Sequence, residues 1–318
     1  MVRPCIALLI VLGAAGAALP SARATEPGFI LDIRGRKLAV PTVEELKKIE
    51  KAAPAAAPGK PTKPRKVLIF GKLNTHAPTP FAAPAVQILG RKTGAFESVI
   101  SDDAKKLLPE SIRQFDAVFA NNLHEKEPLL PADFKRLSAE RQKAAREVQA
   151  RARKSLLSFV GAGGGFTGVH AATAACRTWP EYGKLIGAFH AGQIGGRVPI
   201  RNEQPDHPVN ACFGGKDWQF SDEIYIFREP YSRANLRVLL SLDVAKLKAA
   251  GKDPAKRPDN DYAVSWVRRL GKGRVFYCSL GHMPRGYWDP TFLKHLLAGI
   301  QWAIGDLPGP GEPLPQAK

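Results

Sequence analysis

The spacing of apolar and polar positions changes along the chain, and those changes predict its elements. Short apolar runs stand at 67–70, 96–100, 115–120 and 166–169, each bounded by glycine or polar residues. Runs of this length and setting read as buried strands. Between them lie helical stretches. Residues 83–89 begin one, expected to stop at Gly90. Residues 137–160 form another, with Ala, Arg, Gln, Lys, Glu and Leu and neither Pro nor Gly. This alternation predicts βαβ units around a parallel sheet. After residue 172 the pattern loosens. Residues 173–189 read as helix with Pro180 as a break. Strand-like runs follow at 196–200, 222–227, 236–242, 263–267 and 275–280, and an amphipathic helix closes the chain at 292–304.

The ends read differently. Arg3, an apolar run from Cys5 to Leu19 and Ala22-Arg23-Ala24 have the layout of a signal peptide over 1–24. The run is short of the ~20 residues a membrane helix needs, so export to the periplasm or outside the cell is expected, without an integral membrane span. Residues 25–65 read as a poorly ordered leader. Thr42 and Glu45 have capping-box spacing for one short helix at 43–51, and the Pro/Ala-rich stretch 52–64 reads as a linker. The domain is placed at 66–306 and a tail at 307–318.

Composition is that of a globular protein, 44% hydrophobic and 24% charged, enough for one large domain or two small ones. The formal charge is +18. Such a charge suits anionic partners, but export and the lack of a basic-plus-aromatic module argue against nucleic acid. Cys176, Cys212 and Cys278 remain after the signal. Their spacing matches no metal knuckle, and a Cys176–Cys212 bridge is left open.

Candidate chemistry centres on Gly161-Ala-Gly-Gly-Gly-Phe-Thr-Gly-Val-His170-Ala-Ala172. His170 falls at the carboxyl end of a strand, where open α/β sheets bind ligands. The competing reading is a hydrogen-bonded structural histidine. The glycines precede the strand instead of following it, so no nucleotide is expected. Gly168-Val-His170 has the shape of a nucleophile elbow with His in the nucleophile's place, which suits acid–base work or a metal ligand. His282 ends a later strand, Asp222 and Glu223 open another, and His190 follows a turn. The catalytic candidates are therefore His170, His282, Glu223 and Asp222. His170 and His190 are the candidate ligands for a divalent metal. His76, Asn122 and Trp288 are the candidates for holding substrate, Trp288 by stacking on a sugar ring.

Gly163-Gly-Gly-Phe-Thr-Gly-Val-His-Ala-Ala172, Asp206-His-Pro208, Asp222-Glu-Ile-Tyr225, Ser279-Leu-Gly-His282 and Gly299-Ile-Gln-Trp302 together resemble the ThuA-like, trehalose-utilisation family. The resemblance implies the fold of class I glutamine amidotransferases, a flavodoxin-like three-layer α/β sandwich with a mainly parallel central sheet. Short strand-rich insertions would lie in the second half. Where the amidotransferases carry a nucleophilic Cys this chain has His170, so glutamine hydrolysis by that route is not expected. The resemblance implies a small carbohydrate substrate, trehalose or a related disaccharide or 3-keto-sugar. Two functions stay open at this stage, an exported sugar-converting enzyme and a non-catalytic carbohydrate-binding or cell-surface protein. Oligomeric state is not legible.

Overall fold

The four early apolar runs do form neighbouring strands. The computed structural model describes residues 29–315 apart from 33, 34, 253, 255 and 256, so the signal-peptide expectation lies outside the described residues. In chain order the first half comprises β1 (Phe29–Leu31), β2 (Lys37–Ala39), α1 (Val43–Ala52), β3 (Lys66–Phe70), α2 (Thr79–Thr93), β4 (Glu97–Ser101), α3 (Pro109–Ile112), β5 (Ala117–Ala120), α4 (Ala139–Gly161) and β6 (Gly165–Val169). The second half comprises α5 (Pro180–Ile186), β7 (Phe189–Asn202), β8 (Trp218–Arg228), β9 (Arg237–Leu242), α6 (Val244–Ala249), β10 (Ala263–Leu270), β11 (Gly273–Cys278) and α7 (Pro290–Ile304).

One sheet of nine strands runs β4-β3-β5-β6-β11-β10-β9-β7-β8, and β1 and β2 form a separate hairpin. The first five strands of that order are parallel. The strands expected as insertions extend the same sheet as antiparallel neighbours. Apolar side chains fill both faces. α1, α2 and α7 pack on one side, α3, α4 and α5 on the other, which gives the three-layer α/β arrangement. Glycines in β6 set the spacing of the layers. A Cβ on Gly165 would come 2.8 Å from the Ala303 carbonyl oxygen.

Several local expectations are corrected. α2 runs through Gly90, which lies against Phe96 where no side chain fits, and ends at Gly94 with φ 66°. Pro180 does not break a helix but opens α5 at its first position, where its missing N–H costs nothing. Cys176 is buried on one side of the sheet and Cys212 packs on the other, so the bridge left open does not form and both thiols are free. No helix among the described residues is long and apolar enough to cross a membrane.

The leader and linker expected at 25–65 are packed where described. The Thr42–Glu45 capping box forms as expected, and α1 buries Ile49 completely against α2. Within the Pro/Ala-rich stretch, Gln301 of α7 bonds both the Gly59 N–H and the Gly59 carbonyl, at 2.9 and 2.6 Å. Arg65 and Thr62 bind Asp306. Composition shows that such a stretch lacks its own core. It does not show that side-chain amides and carboxylates elsewhere will satisfy its backbone.

Candidate active site

The register of β3, β5, β6 and β11 aligns their carboxyl ends. Phe70 pairs with Ala120, Ala120 with Gly168, and Val169 with Cys278. The residues just beyond therefore share one edge: the loop carrying His76, then Asn121 and Asn122, then His170, then Ser279 and His282.

His170 is the sharpest point of this edge. Its φ is +42°, a left-handed conformation that is strained for a residue with a Cβ. Tyr277 Oη donates to the His170 carbonyl at 2.6 Å, and Tyr182 Oη to that of Ala172 at 2.9 Å, so phenols from two elements hold the turn. A Cβ on Gly168 would meet Ala172 and Ile186 side chains at 3.0 Å, so the elbow needs glycine there. The expected strand-to-turn geometry is present, and the helix after it is a 3₁₀ turn over His170–Ala174.

His170 is wholly buried. Its Nδ1 lies 3.0 Å from the Ser279 carbonyl oxygen. A carbonyl only accepts, so Nδ1 carries the proton and Nε2 is left with a free lone pair. His282 Nδ1 stands 3.0 Å from that Nε2. His76 stacks parallel on His170 at 5.3 Å between ring centroids. One ring nitrogen from each of His76, His170 and His282 lies within 4.8 Å of the others. His76 Nε2 is buried with no hydrogen-bond partner in the protein. Glu223 Oε1 is 3.7 Å from both His170 Nε2 and His282 Nδ1.

Electrostatics keep the His76 and His170 rings neutral. Burial, with His124, His282 and Arg36 nearby, pushes the His76 pKa down to about 3. Burial followed by the charges of His76 and His282 holds His170 well below the usual imidazole range, although the Ser279 carbonyl pulls it upward. Neutral imidazoles offer lone pairs to a metal or to a proton. A backbone carbonyl that orients the ring from its other nitrogen, as Ser279 does for His170, is the arrangement that supports metal-bound histidines.

The chain belongs to the ThuA family. The family model described as trehalose utilisation matches residues 66–303. No curated protein matches this chain. Among solved structures, it is similar to a ThuA-like protein from Bacteroides uniformis ATCC 8492, with 19% identity and a TM-score of 0.58, over 78% of this chain and 95% of that one. A ThuA-like protein from Parabacteroides merdae ATCC 43184 is similar at 18% identity and a TM-score of 0.55, over 76% of this chain and 91% of that one. At these identities the likeness concerns the fold. It agrees with the α/β architecture that the motifs imply.

Within this ThuA domain, the sequence candidates divide. His170, His282, Glu223 and His76 meet. Asp222, expected as catalytic, is a clamp: its Oδ2 accepts from Gly281 N at 2.7 Å, and its Oδ1 from Met283 N and Glu223 N, both at 2.9 Å. Burial raises its pKa, with these bonds acting in the opposite sense. It positions the turn that carries His282. His190, expected as a metal ligand, is outside the His76–His170–His282 group. Tyr225 packs between it and His170, with ring centroids 4.0 Å from His190 and 4.3 Å from His170. The His190 nitrogens face Arg177 and Gln193. Asn122 is fully buried on the shared edge, with φ +48° and an Oδ1 that has no partner in the protein. Trp288 packs under α1, where Lys48 Nζ lies 4.6 Å from its ring centroid, so that face is covered and does not serve as a sugar platform.

Three residues of the ThuA site were not singled out from sequence. Tyr225 packs on His170, and its N–H donates to Ser279 Oγ at 2.8 Å. The Ser279 carbonyl sets the His170 tautomer. His124 stacks on His76 at 4.8 Å. Tyr225 and Ser279 sit inside the motifs Asp222-Glu-Ile-Tyr225 and Ser279-Leu-Gly-His282. That position was the available signal for them.

Proposed function

We propose that this ThuA-family protein is exported and acts on a sugar or keto-sugar at a histidine-centred, metal-assisted site. The observation that carries the reading is the convergence of His76, His170 and His282 on one point, with Glu223 alongside. Three imidazoles and a carboxylate form a donor set for zinc or a similar divalent ion. Two nitrogens on one such ion at about 2.1 Å stand roughly 3–3.5 Å apart, so the 3.0 Å between His170 Nε2 and His282 Nδ1 needs little change. A bound divalent ion supplies Lewis acidity toward a carbonyl or hydroxyl oxygen. The residues do the rest. Ser279 fixes the His170 lone pair toward the cluster, Asp222 holds the His282 turn, and the half-buried Glu223 is the group to take up or return a proton. The family's description supports a carbohydrate substrate. The signal-like residues 1–24 support export.

Protein purified without chelator is expected to hold about one divalent ion per chain, by elemental analysis, and to turn over 3-keto-disaccharides. Sugar binding without metal or turnover would assign the cleft to a carbohydrate-binding module. Neither metal nor sugar bound would overturn the reading.

A further inference from the structure

We propose that Tyr225 is a further catalytic residue of this site, its phenol hydroxyl donating a hydrogen bond to the carbonyl oxygen of a bound keto-sugar. The inference rests on the reading above and assigns a group which that reading leaves out.

The chain has six tyrosines, and all six are buried. Buried phenols normally find a partner for the hydroxyl. Five do so within the protein. Tyr182 donates to the Ala172 carbonyl, Tyr231 to Asp261, Tyr277 to the His170 carbonyl and Tyr287 to the Gly281 carbonyl, and Tyr262 Oη accepts from Arg257 N at 3.0 Å. Tyr225 differs. Among the described residues its Oη has no hydrogen-bond partner, and its side chain makes ring contacts only. Nor is that oxygen one of the partnerless polar atoms shut off from solvent, so it opens toward water or a ligand.

This hydroxyl belongs to a ring fixed in the site. The ring centroid lies 4.3 Å from that of His170 and 4.0 Å from that of His190. Ser279 holds Tyr225 and His170 together: its Oγ accepts from Tyr225 N at 2.8 Å, and its carbonyl from His170 Nδ1 at 3.0 Å. Alternation along β8 sets the rest. Ile224 and Ile226 pack on one side of the sheet, Tyr225 and Phe227 on the other, so Glu223 falls on the face of Tyr225. Residues two apart on a strand are about 7 Å apart. Glu223 Oε1 is 3.7 Å from both His170 Nε2 and His282 Nδ1. Carboxylate and phenol therefore flank the histidine cluster from one strand, at a spacing that a carbonyl and its neighbouring carbon fit.

The two groups have opposite uses. A carboxylate only accepts, whereas a phenol, with an ordinary pKa of about 10, keeps its proton at neutral pH and donates. When Glu223 takes a proton from the carbon beside the ketone, the C–H electron pair forms the new C=C bond. The carbonyl pair moves onto the oxygen. The Tyr225 O–H then meets an enolate oxygen in place of a ketone oxygen, and its hydrogen bond strengthens as that charge forms. Proton and charge balance without an oxidant or reductant.

The test uses the zinc-loaded, full mature chain and 3-keto-trehalose. Tyr225→Phe removes an oxygen that bonds nothing among the described residues and keeps the ring against both imidazoles. Thermal midpoint and zinc content are therefore expected to match the parent. kcat should fall about a hundredfold with KM within about threefold, since the donor acts on charge formed in the transition state. Tyr231→Phe, which loses the bond to Asp261, should leave kcat unchanged. A second readout needs no turnover. In a Glu223→Gln background, the infrared carbonyl stretch of bound 3-keto-trehalose should rise when Tyr225→Phe is added, because a hydrogen bond to the oxygen weakens the C=O bond. An unchanged kcat overturns the inference. So does a fall in kcat with an unmoved carbonyl stretch, which would return Tyr225 to positioning the His170 ring. A parent chain that binds 3-keto-trehalose without turnover, or binds neither it nor zinc, defeats the reading of the site and this inference together.

Discussion

His170 Nε2 and His282 Nδ1 stand 3.0 Å apart although 112 residues separate them in the chain. They follow β6 and β11, His170 directly and His282 four residues on, and the two strands lie side by side and parallel, so both rings leave the sheet at the same edge. With no ion between them, His282 Nδ1–H donates to the His170 lone pair. A divalent ion, if bound, would take the lone pairs of both rings.

His170→Ala and His282→Ala should each reduce metal affinity by at least about a hundredfold and abolish turnover, while far-ultraviolet dichroism stays native. The double variant should be no worse than the worse single one, because residues that act as a unit lose their function together. Additive losses in kcat/KM would show that the two rings work independently.

Asp222→Asn keeps the size but loses the charge that three backbone N–H groups share. Stability should drop by about 2–3 kcal/mol in urea titration, and metal affinity by about tenfold through the displaced His282 turn. Glu223→Gln should spare stability and strike turnover. Matching losses of stability in the two variants would contradict the division of roles.

Ile49→Ala should cost about 2–5 kcal/mol, since the side chain is fully buried between α1 and the domain. Removing residues 25–64 should lower the thermal midpoint further, because it also leaves Gln301 without Gly59 and takes Thr62 from Asp306, which keeps Arg65. An unchanged midpoint would mean that α1 contributes nothing to the fold.

His295 gives a pH signature away from the site. It is fully buried between Ser265 and the Val209 carbonyl. Burial lowers its pKa from 6.5 to about 4, with the Val209 carbonyl acting in the opposite sense. Between those values the unfolded chain takes up a proton that the folded chain refuses. This contribution is therefore complete above pH 6.5 and is lost as pH falls toward 4, at up to about 1.4 kcal/mol per pH unit. His295→Gln should flatten the urea-derived stability profile over that window relative to the parent chain. Parallel profiles would show that His295 takes its proton while folded.

Local pattern alone carried much of this. The apolar runs marked the parallel strands, Thr42 and Glu45 marked the start of α1, and Gly168-Val-His170 marked the elbow. Each depends on neighbours a few residues apart: strand period, side-chain capping, and a glycine where two layers touch. His282 was legible for the same reason, as a residue close behind a strand, although β11 itself stops at Cys278 and His282 sits in the turn after it. Tertiary structure alone decided what met what. Strand order brought His76 to the cluster and left His190 behind Tyr225. The turn at Gly281 made Asp222 a clamp and left Glu223 facing the rings. Packing of α1 covered Trp288, and bonds from Gln301 and Asp306 fastened a stretch that reads as linker. These are contacts between residues tens to hundreds of positions apart. No local period encodes them, because they depend on which elements become neighbours once the apolar faces are buried.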